Sequence, residues 1–362
     1  MKILVLGGTG AMGVALVELL AERGDEVYVT SRSNHDNRKN VTYVTGNAHD
    51  MAFVKQLLKN PYDVIVDFMI YSLAELEERI DILLGGTKQY FFLSSSRVYA
   101  ESDERITENS GRLLDVTTDE IYLGTKEYAL AKAREENLLM NSQYNNWTII
   151  RPYITYSNIR LQLGTQEKEY WLYRALHRRS IVFSNEVVKK FTSLTYGYDV
   201  SRTMVELIGN EKALGECIHI VTHEIVRWSD VLEIYLDVIE DELGYRPKVF
   251  LINYDLGMVD LLGNKYQYKY DRLFNRTFDS NKVNEICNNR INYVGVKEGL
   301  STCLREFING DRKFRRINWK FEAYADRICK EKTKLKEIDT FKNKMKYLIF
   351  RYTPYFRLKG IR

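Results

Sequence analysis

Residues 1–13 read MKILVLGGTGAMG. Five apolar-rich positions run straight into glycine, and a stretch with helical apolar spacing, 11–23, follows. The run is far too short to span a membrane and reads as a buried strand. Nothing in it looks like a signal peptide. Glycines at 7, 10 and 13 give the spacing G-x-x-G-x-x-G. Gly7 permits a tight turn, Gly10 lets a pyrophosphate approach the backbone, and Gly13 lets helix and strand pack closely. The helix N-terminus then offers free N–H groups and a positive dipole end to the phosphates. The dinucleotide contacts expected here are Gly7, Thr9, Gly10, Ala11, Met12 and Gly13. The competing reading is an ordinary tight strand–helix turn.

The same alternation continues outward. Residues 2–6, 26–31, 41–44, 63–68, 89–94 and 147–151 read as strands, and 11–23, 51–58, 73–84 and 119–141 as helices. A seventh strand over 217–221 follows a helix over 200–208. Buried-type strands alternating with helices predict an α/β protein with a doubly wound parallel sheet covered on both faces. Beyond residue 153 the regularity fades into mixed, aromatic and charged sequence. The expected organisation is a dinucleotide-binding domain from 1–155 plus about 191–225. A smaller substrate-binding domain follows from about 156–190 plus 226–330, and then a basic tail over 331–362.

The end of the second predicted strand selects the cofactor. EVYVTSRSN places Ser31 and Arg32 where an acidic residue would accept the ribose hydroxyls of NAD. Arg32 can pair with a 2′-phosphate, so NADP is expected ahead of NAD. Asn47, in GNAHD after the third strand, is either an amide contact near the adenine or part of a plain turn.

Bulk properties narrow the class. The 362 residues are 45% hydrophobic and 28% charged, which suits a large globular protein of one big or two modest domains. Four scattered cysteines with no C-x-x-C, and five scattered histidines, suggest neither a disulfide framework nor a metal site, so a reducing cytoplasm is expected. The net charge of +4 is uneven: residues 331–362 sum to +7 and the first 330 to −3. The body therefore has no basic footprint for DNA.

Two Tyr-x-x-x-Lys patterns compete in YLGTKEYALAK, residues 122–132: Tyr122 with Lys126, and Tyr128 with Lys132. With 26 tyrosines in the chain and as many lysines, chance alone supplies about two such matches. A continuous helix over 119–141, started by a Thr117–Glu120 capping box, puts Tyr128 and Lys132 on one face and Tyr122 about 240° away. Gly124 weakens the helix beside Tyr122, which reads as a helix-surface or interface aromatic. Small residues Ala129, Ala131 and Ala133 follow Tyr128. Three serines close the fifth strand in YFFLSSSRVYA, at the crevice where open parallel sheets bind ligands.

The order GGTGAMG, SSSRVYA, YALAK and TIIRPYITYS resembles the extended short-chain dehydrogenase/reductase family of sugar-nucleotide epimerases, reductases and dehydratases, over roughly residues 1–225. The resemblance implies a Rossmann domain and a catalytic set of Ser95, Tyr128 and Lys132, with Glu136 as the glutamate often found four residues after the lysine. Tyr128 would exchange a proton with the substrate hydroxyl while hydride moves to or from the nicotinamide. Tyrosine ordinarily keeps its proton at neutral pH, and a neighbouring ammonium favours the phenolate. Ser95 would hold the substrate oxygen, and Lys132 would also bind the nicotinamide ribose.

Departures from the family pattern matter. Its dehydratases carry Asp-Glu where this chain has Ser96-Arg97, so water elimination is disfavoured. The pattern R-P-x-N-x-x-G becomes Arg151-Pro152-Tyr153-Ile154-Thr155-Tyr156-Ser157, which lacks both Asn and Gly. Arg151 is either a phosphate contact or a buried structural arginine. These departures resemble an atypical branch that includes RNA-binding members. The expected function is an NAD(P)-dependent epimerase or reductase acting on a nucleotide sugar, as a homodimer, in surface polysaccharide synthesis. The alternative is a protein on the same fold that binds RNA or a protein partner, with a vestigial cofactor site.

In the tail, Phe341, Met345, Leu348, Ile349 and Tyr352 form one apolar stripe at helical spacing, with Lys342, Lys344, Lys346 and Arg351 beside or opposite it. Three readings are open: docking on the body or a partner subunit, contact with an anionic membrane surface, and a mobile solvated tail.

Overall fold

The structure is a computed structural model and describes residues 1–353. The chain divides into two compact units. The first comprises Met1–Thr155, Ser193–Glu224 and Thr277–Val294; the second comprises Tyr156–Thr192, Ile225–Arg276 and the residues from Gly295 on.

The first unit is built on seven strands: β1 (Lys2–Leu6), β2 (Glu26–Ser31), β3 (Val41–Thr45), β4 (Tyr62–Asp67), β5 (Thr87–Leu93), β6 (Trp147–Pro152) and β7 (Glu216–Ile220). Their order is β7-β6-β5-β4-β1-β2-β3. All neighbours are parallel. The connecting helices include α1 (Ala11–Arg23), α2 (Met51–Leu57), α3 (Leu73–Gly85), α4 (Tyr128–Met140) and α5 (Gly197–Leu207).

Successive side chains of a strand point to opposite faces, and here both faces are covered. Ile3 and Val5 of β1 face Leu16 and Leu20 of α1 and Met204 of α5. Leu4 and Leu6 face Val54 of α2, Leu76 and Leu83 of α3, and Leu139 of α4. That double burial is why KILVL is apolar without alternation. The strand order reverses between β1 and β4, and the C-terminal ends of these strands frame the crevice where such sheets bind ligands.

The sequence places one helix over 119–141; the structure breaks it. A single turn, Glu120–Leu123, is capped by Asp119, whose carboxylate accepts the Tyr122 N–H at 3.0 Å. The chain then leaves the helix at Gly124, and α4 starts afresh at Tyr128 with Glu127 as its N-cap. Asp119 and Glu127 thus do the capping assigned above to Thr117 and Glu120. Thr277–Val294, expected within the 226–330 run, lies in the first unit, where Ser280 Oγ donates to the Val221 carbonyl at 2.8 Å.

The second unit contains a short parallel pair, Ile181–Ser184 with Val249–Ile252, and helices α6 (Trp228–Leu243), α7 (Val296–Asn309), α8 (Trp319–Cys329) and α9 (Phe341–Tyr352). Arg174, fully buried, ties α8 down. It contacts Glu322 at 3.0 Å, Asp326 at 2.9 Å and Glu331 at 2.9 Å. Burial pushes the Glu322 carboxyl up to about 7, against the pull of Arg174 and Arg179. Asp326 also accepts the Tyr347 hydroxyl at 2.7 Å, which fastens α9. Of the tail assigned to 331–362, residues 354–362 lie outside the described residues. Among the described residues no helix is long and apolar enough to cross a membrane.

At the crevice end of β4, Asp67 is buried and accepts the Tyr90 hydroxyl at 2.9 Å, the Tyr71 hydroxyl at 3.4 Å and the Met69 N–H at 2.9 Å. Burial outweighs these donors and pushes its carboxyl up to about 6. The folded protein therefore binds a proton here more tightly than the unfolded chain does. Stability from this group falls as pH rises from about 4 to about 6 and is flat above, a loss of about 3 kcal/mol. Asp67→Asn keeps one of the two acceptor oxygens and removes the titration. Its Tm is expected to gain on the parent protein as pH is raised from 4 to 7; a constant difference across a pH series of melting curves would contradict this.

Candidate active site

The glycine-rich turn follows β1. Gly7 sits at φ +71°, and its N–H donates to Thr30 Oγ1 at 3.0 Å. A Cβ on Gly13 would lie 2.5 Å from the Gly8 carbonyl oxygen, so α1 rests directly on the turn. Gly8 is the residue the spacing did not single out: a Cβ there would meet Val5 at 2.8 Å and Val29 at 2.9 Å. Open space surrounds the corresponding position on Gly10, the N-cap of α1, which provides no side-chain cap. The first turn of α1 holds no acidic residue. Uncapped N–H groups beside open space fit a pyrophosphate. Thr9 is exposed and Met12 half-buried; the side chain of Ala11 lies outside the described atoms.

At the end of β2, Ser31 is buried and its Oγ accepts the Ser33 N–H at 3.1 Å, while Arg32 is exposed. Asn47 is exposed, and its Oδ1 accepts the His49 N–H at 3.2 Å, closing a local turn.

The two tyrosines have different fates. Tyr122 is fully buried, so it is not a helix-surface aromatic. Its hydroxyl donates to Glu127 Oε2 at 3.0 Å. The same oxygen accepts the Ala129 N–H at 2.8 Å, and Oε1 binds the Arg97 guanidinium. That guanidinium stands 5.2 Å from the ring centroid of Tyr128, which is 43% exposed. A chain of contacts thus runs from buried Tyr122 through Glu127 and Arg97 to the ring of Tyr128. Tyr122 braces the start of α4, and Tyr128 is presented.

Ser95 is the second residue past β5. Its Oγ accepts the Arg97 N–H at 3.2 Å, which leaves its own O–H free to donate. Lys132, one turn along α4 from Tyr128, is buried. Its Nζ donates to Glu135 Oε2 at 2.9 Å and lies 4.7 Å from the Phe92 ring centroid on β5. Burial raises the Glu135 carboxyl against the pull of Lys132. Tyr128 and Lys132 on α4 are thereby held to the end of β5 that carries Ser95.

Glu136 fixes that register. Fully buried, it accepts Arg151 through both carboxylate oxygens at 2.7 Å each, Ser94 Oγ at 2.6 Å and Arg112 at 3.1 Å. Arg151 also donates to the Tyr99 hydroxyl at 3.0 Å, so its guanidinium is bound within the protein. Of the two readings of Arg151, this geometry is the structural one. Glu136→Ala leaves a buried guanidinium uncompensated and is expected to lower unfolding free energy by about 3–5 kcal/mol, with a smaller loss for Glu136→Gln. Urea denaturation of the two variants measures the difference.

Residues 3–83 match the family model described as NAD dependent epimerase/dehydratase family. The chloroplast stem-loop binding protein of 41 kDa b from Arabidopsis thaliana is 26% identical over 244 residues, 63% of this chain and 60% of that protein, so the match spans under two thirds of the relative. The dTDP-glucose 4,6-dehydratase of Bacillus anthracis, solved with NAD, superposes with a TM-score of 0.65 at 14% identity, covering 87% of this chain and 98% of that one. The UDP-glucuronic acid 4-epimerase of Bacillus cereus, solved with NAD and a fluorinated UDP-sugar, gives 0.61 at 15% identity, covering 85% and 100%. At these identities the structural likeness shows the fold. The amino-terminal segment of this chain carries the sequence pattern of the NAD dependent epimerase/dehydratase family, on a parallel Rossmann-like α/β fold shared with these two enzymes.

Proposed function

We propose that the protein is a nicotinamide-dependent epimerase or reductase acting on a nucleotide-linked sugar, with Tyr128 as its acid/base. One observation carries this reading: the half-exposed phenol of Tyr128 is fastened by Arg97 to the turn that presents the Ser95 hydroxyl. When bound, the nicotinamide supplies the site that accepts or returns hydride. The chain's own groups handle the proton and the oxygen. In the oxidising direction Tyr128 Oη takes the substrate hydroxyl proton, and the Ser95 O–H donates to the oxygen as it becomes a carbonyl. Lys132, with two further N–H donors beyond the one held by Glu135, is one helical turn away to support the tyrosine and a ribose hydroxyl.

Elimination of water is disfavoured. Ser96, in the first position after Ser95, is fully buried with its O–H committed to the Arg151 carbonyl at 2.7 Å. Arg97, in the second, is paired with Glu127. Neither supplies a carboxyl group. The preference for NADP rests on exposed Arg32 and on the absence of a carboxylate at Ser31 and Arg32. A place in surface polysaccharide synthesis, and a homodimeric state, rest on the family resemblance alone. The second reading, RNA binding, has only the words stem-loop binding in the name of the Arabidopsis relative behind it. The net charge of −3 over residues 1–330 opposes that reading, because RNA affinity is dominated by phosphate contacts.

Turnover of a panel of UDP- and dTDP-sugars tests the proposal. Tyr128→Phe is expected to lower it about 10²–10⁴-fold with nucleotide binding retained, and Tyr122→Phe to cost mainly stability. Full turnover by Tyr128→Phe would overturn the assignment, and stem-loop RNA binding without any sugar turnover would favour the second reading. In a parallel titration, NADP+ is expected to bind more tightly than NAD+, and Arg32→Ala to erase most of the difference.

A further inference from the structure

The carboxy-terminal helix α9 has two apolar sides. Tyr347 and Phe350 are buried in a cluster with Tyr173, Trp319, Ala323 and Ile338 of the second unit. About 180° around the helix, Phe341, Met345, Ile349 and Tyr352 are 78, 42, 37 and 64% exposed. These four fall within an arc of about 80°. Four of the five stripe residues therefore form the free face of the helix, while the fifth, Leu348, packs against the docked cluster. Lys342 and Lys346 flank the free face on one side, Lys344 and Arg351 on the other.

Beside the Lys346 flank lies a hollow of about 400 Å³, lined by Arg316, Lys320, Lys346, Asn343 and Trp319 among others. None of its three cations forms an ion pair among the described residues. The contrast with nearby Arg174 and Arg179, each held by carboxylates, is sharp. Arg316, Lys320 and Lys346 neutralise nothing in the fold, so their charge is available to an anion entering the hollow.

We propose that the free face of α9 and the adjoining hollow form a binding surface for anionic lipid membranes. Phe341, Met345, Ile349 and Tyr352 enter the headgroup–acyl boundary, the flanking lysines lie at headgroup level, and Arg316, Lys320 and Lys346 receive a lipid phosphate. Charge decides against the other occupants. A second copy of this chain, docked symmetrically, would bring its own lysines against these. A nucleic acid would use the cations and leave four exposed apolar side chains in water. An anionic bilayer satisfies both sets at once.

Co-sedimentation of the full chain with phosphatidylcholine vesicles, with and without phosphatidylglycerol, is the test. Binding is expected only with the anionic lipid, and is expected to weaken as salt is raised. The Phe341→Ser/Ile349→Ser variant changes exposed positions and should melt like the parent while binding about tenfold more weakly. Arg316→Gln/Lys346→Gln is expected to lose about fivefold per cation and part of the salt dependence. Equal binding to neutral and anionic vesicles overturns the proposal. So does a Phe341→Ser/Ile349→Ser protein that binds as the parent does, or one whose only change is loss of a dimer in sedimentation velocity.

Discussion

The first unit depends on one buried carboxylate. Glu136 lies on α4, Ser94 follows β5, and Arg151 lies on β6, so a single side chain joins the helix to the ends of two adjacent strands. A buried charge pair of this kind need not add much net stability, because desolvation cancels much of the attraction. What it does is penalise every other arrangement. Sliding α4 by one turn would leave a guanidinium and a carboxylate apart in an apolar interior. The position of Tyr128 and Lys132 relative to Ser95 follows from that penalty.

The site built on this register has a graded character. Its lower layer is fully committed: Tyr122 to Glu127, Ser96 to a backbone carbonyl, Glu136 to two arginines. The upper layer is not. Tyr128 is half exposed, Ser95 has an unspent donor, and Gly10 borders open space. Lys132 stands between the layers, paired below with Glu135 and one turn from the tyrosine above. Rigid support beneath groups that retain hydrogen-bonding capacity is what the proposed positioning of a substrate oxygen demands.

Much of the fold is legible in the sequence, for identifiable reasons. The strands could be located because burial on both faces leaves only apolar residues, and the glycine turn because its φ and its close approach admit little else. The break between Tyr122 and Tyr128 was hidden. Glu127 is a good helix former, and only its pairing with Arg97, thirty positions earlier in the chain, makes it a cap. A helix running unbroken past Gly124 puts Tyr122 on the surface, and the break at Gly124 turns it inward. Asp67 and Gly8 carry no local sequence signal, since their constraints come from Tyr90, Tyr71 and Val29, on other elements. In the tail the apolar spacing was correct, but spacing does not say which apolar side meets the protein. Tyr347 and Phe350, outside the stripe, are buried in the contact, and of the stripe only Leu348 packs beside them.

The first unit is also discontinuous, and that bears on how the chain emerges from the ribosome. Six strands are made in sequence, but β7, which covers the outer edge of β6, is translated only after Tyr156–Thr192, and Thr277–Val294 only after Ile225–Arg276. Until then β6 presents bare N–H and C=O groups, the template on which another nascent chain can add a strand. Between translation of the sixth strand and the seventh the sheet therefore carries a second bare edge besides that of β3, one the finished fold closes only with residues 216–220.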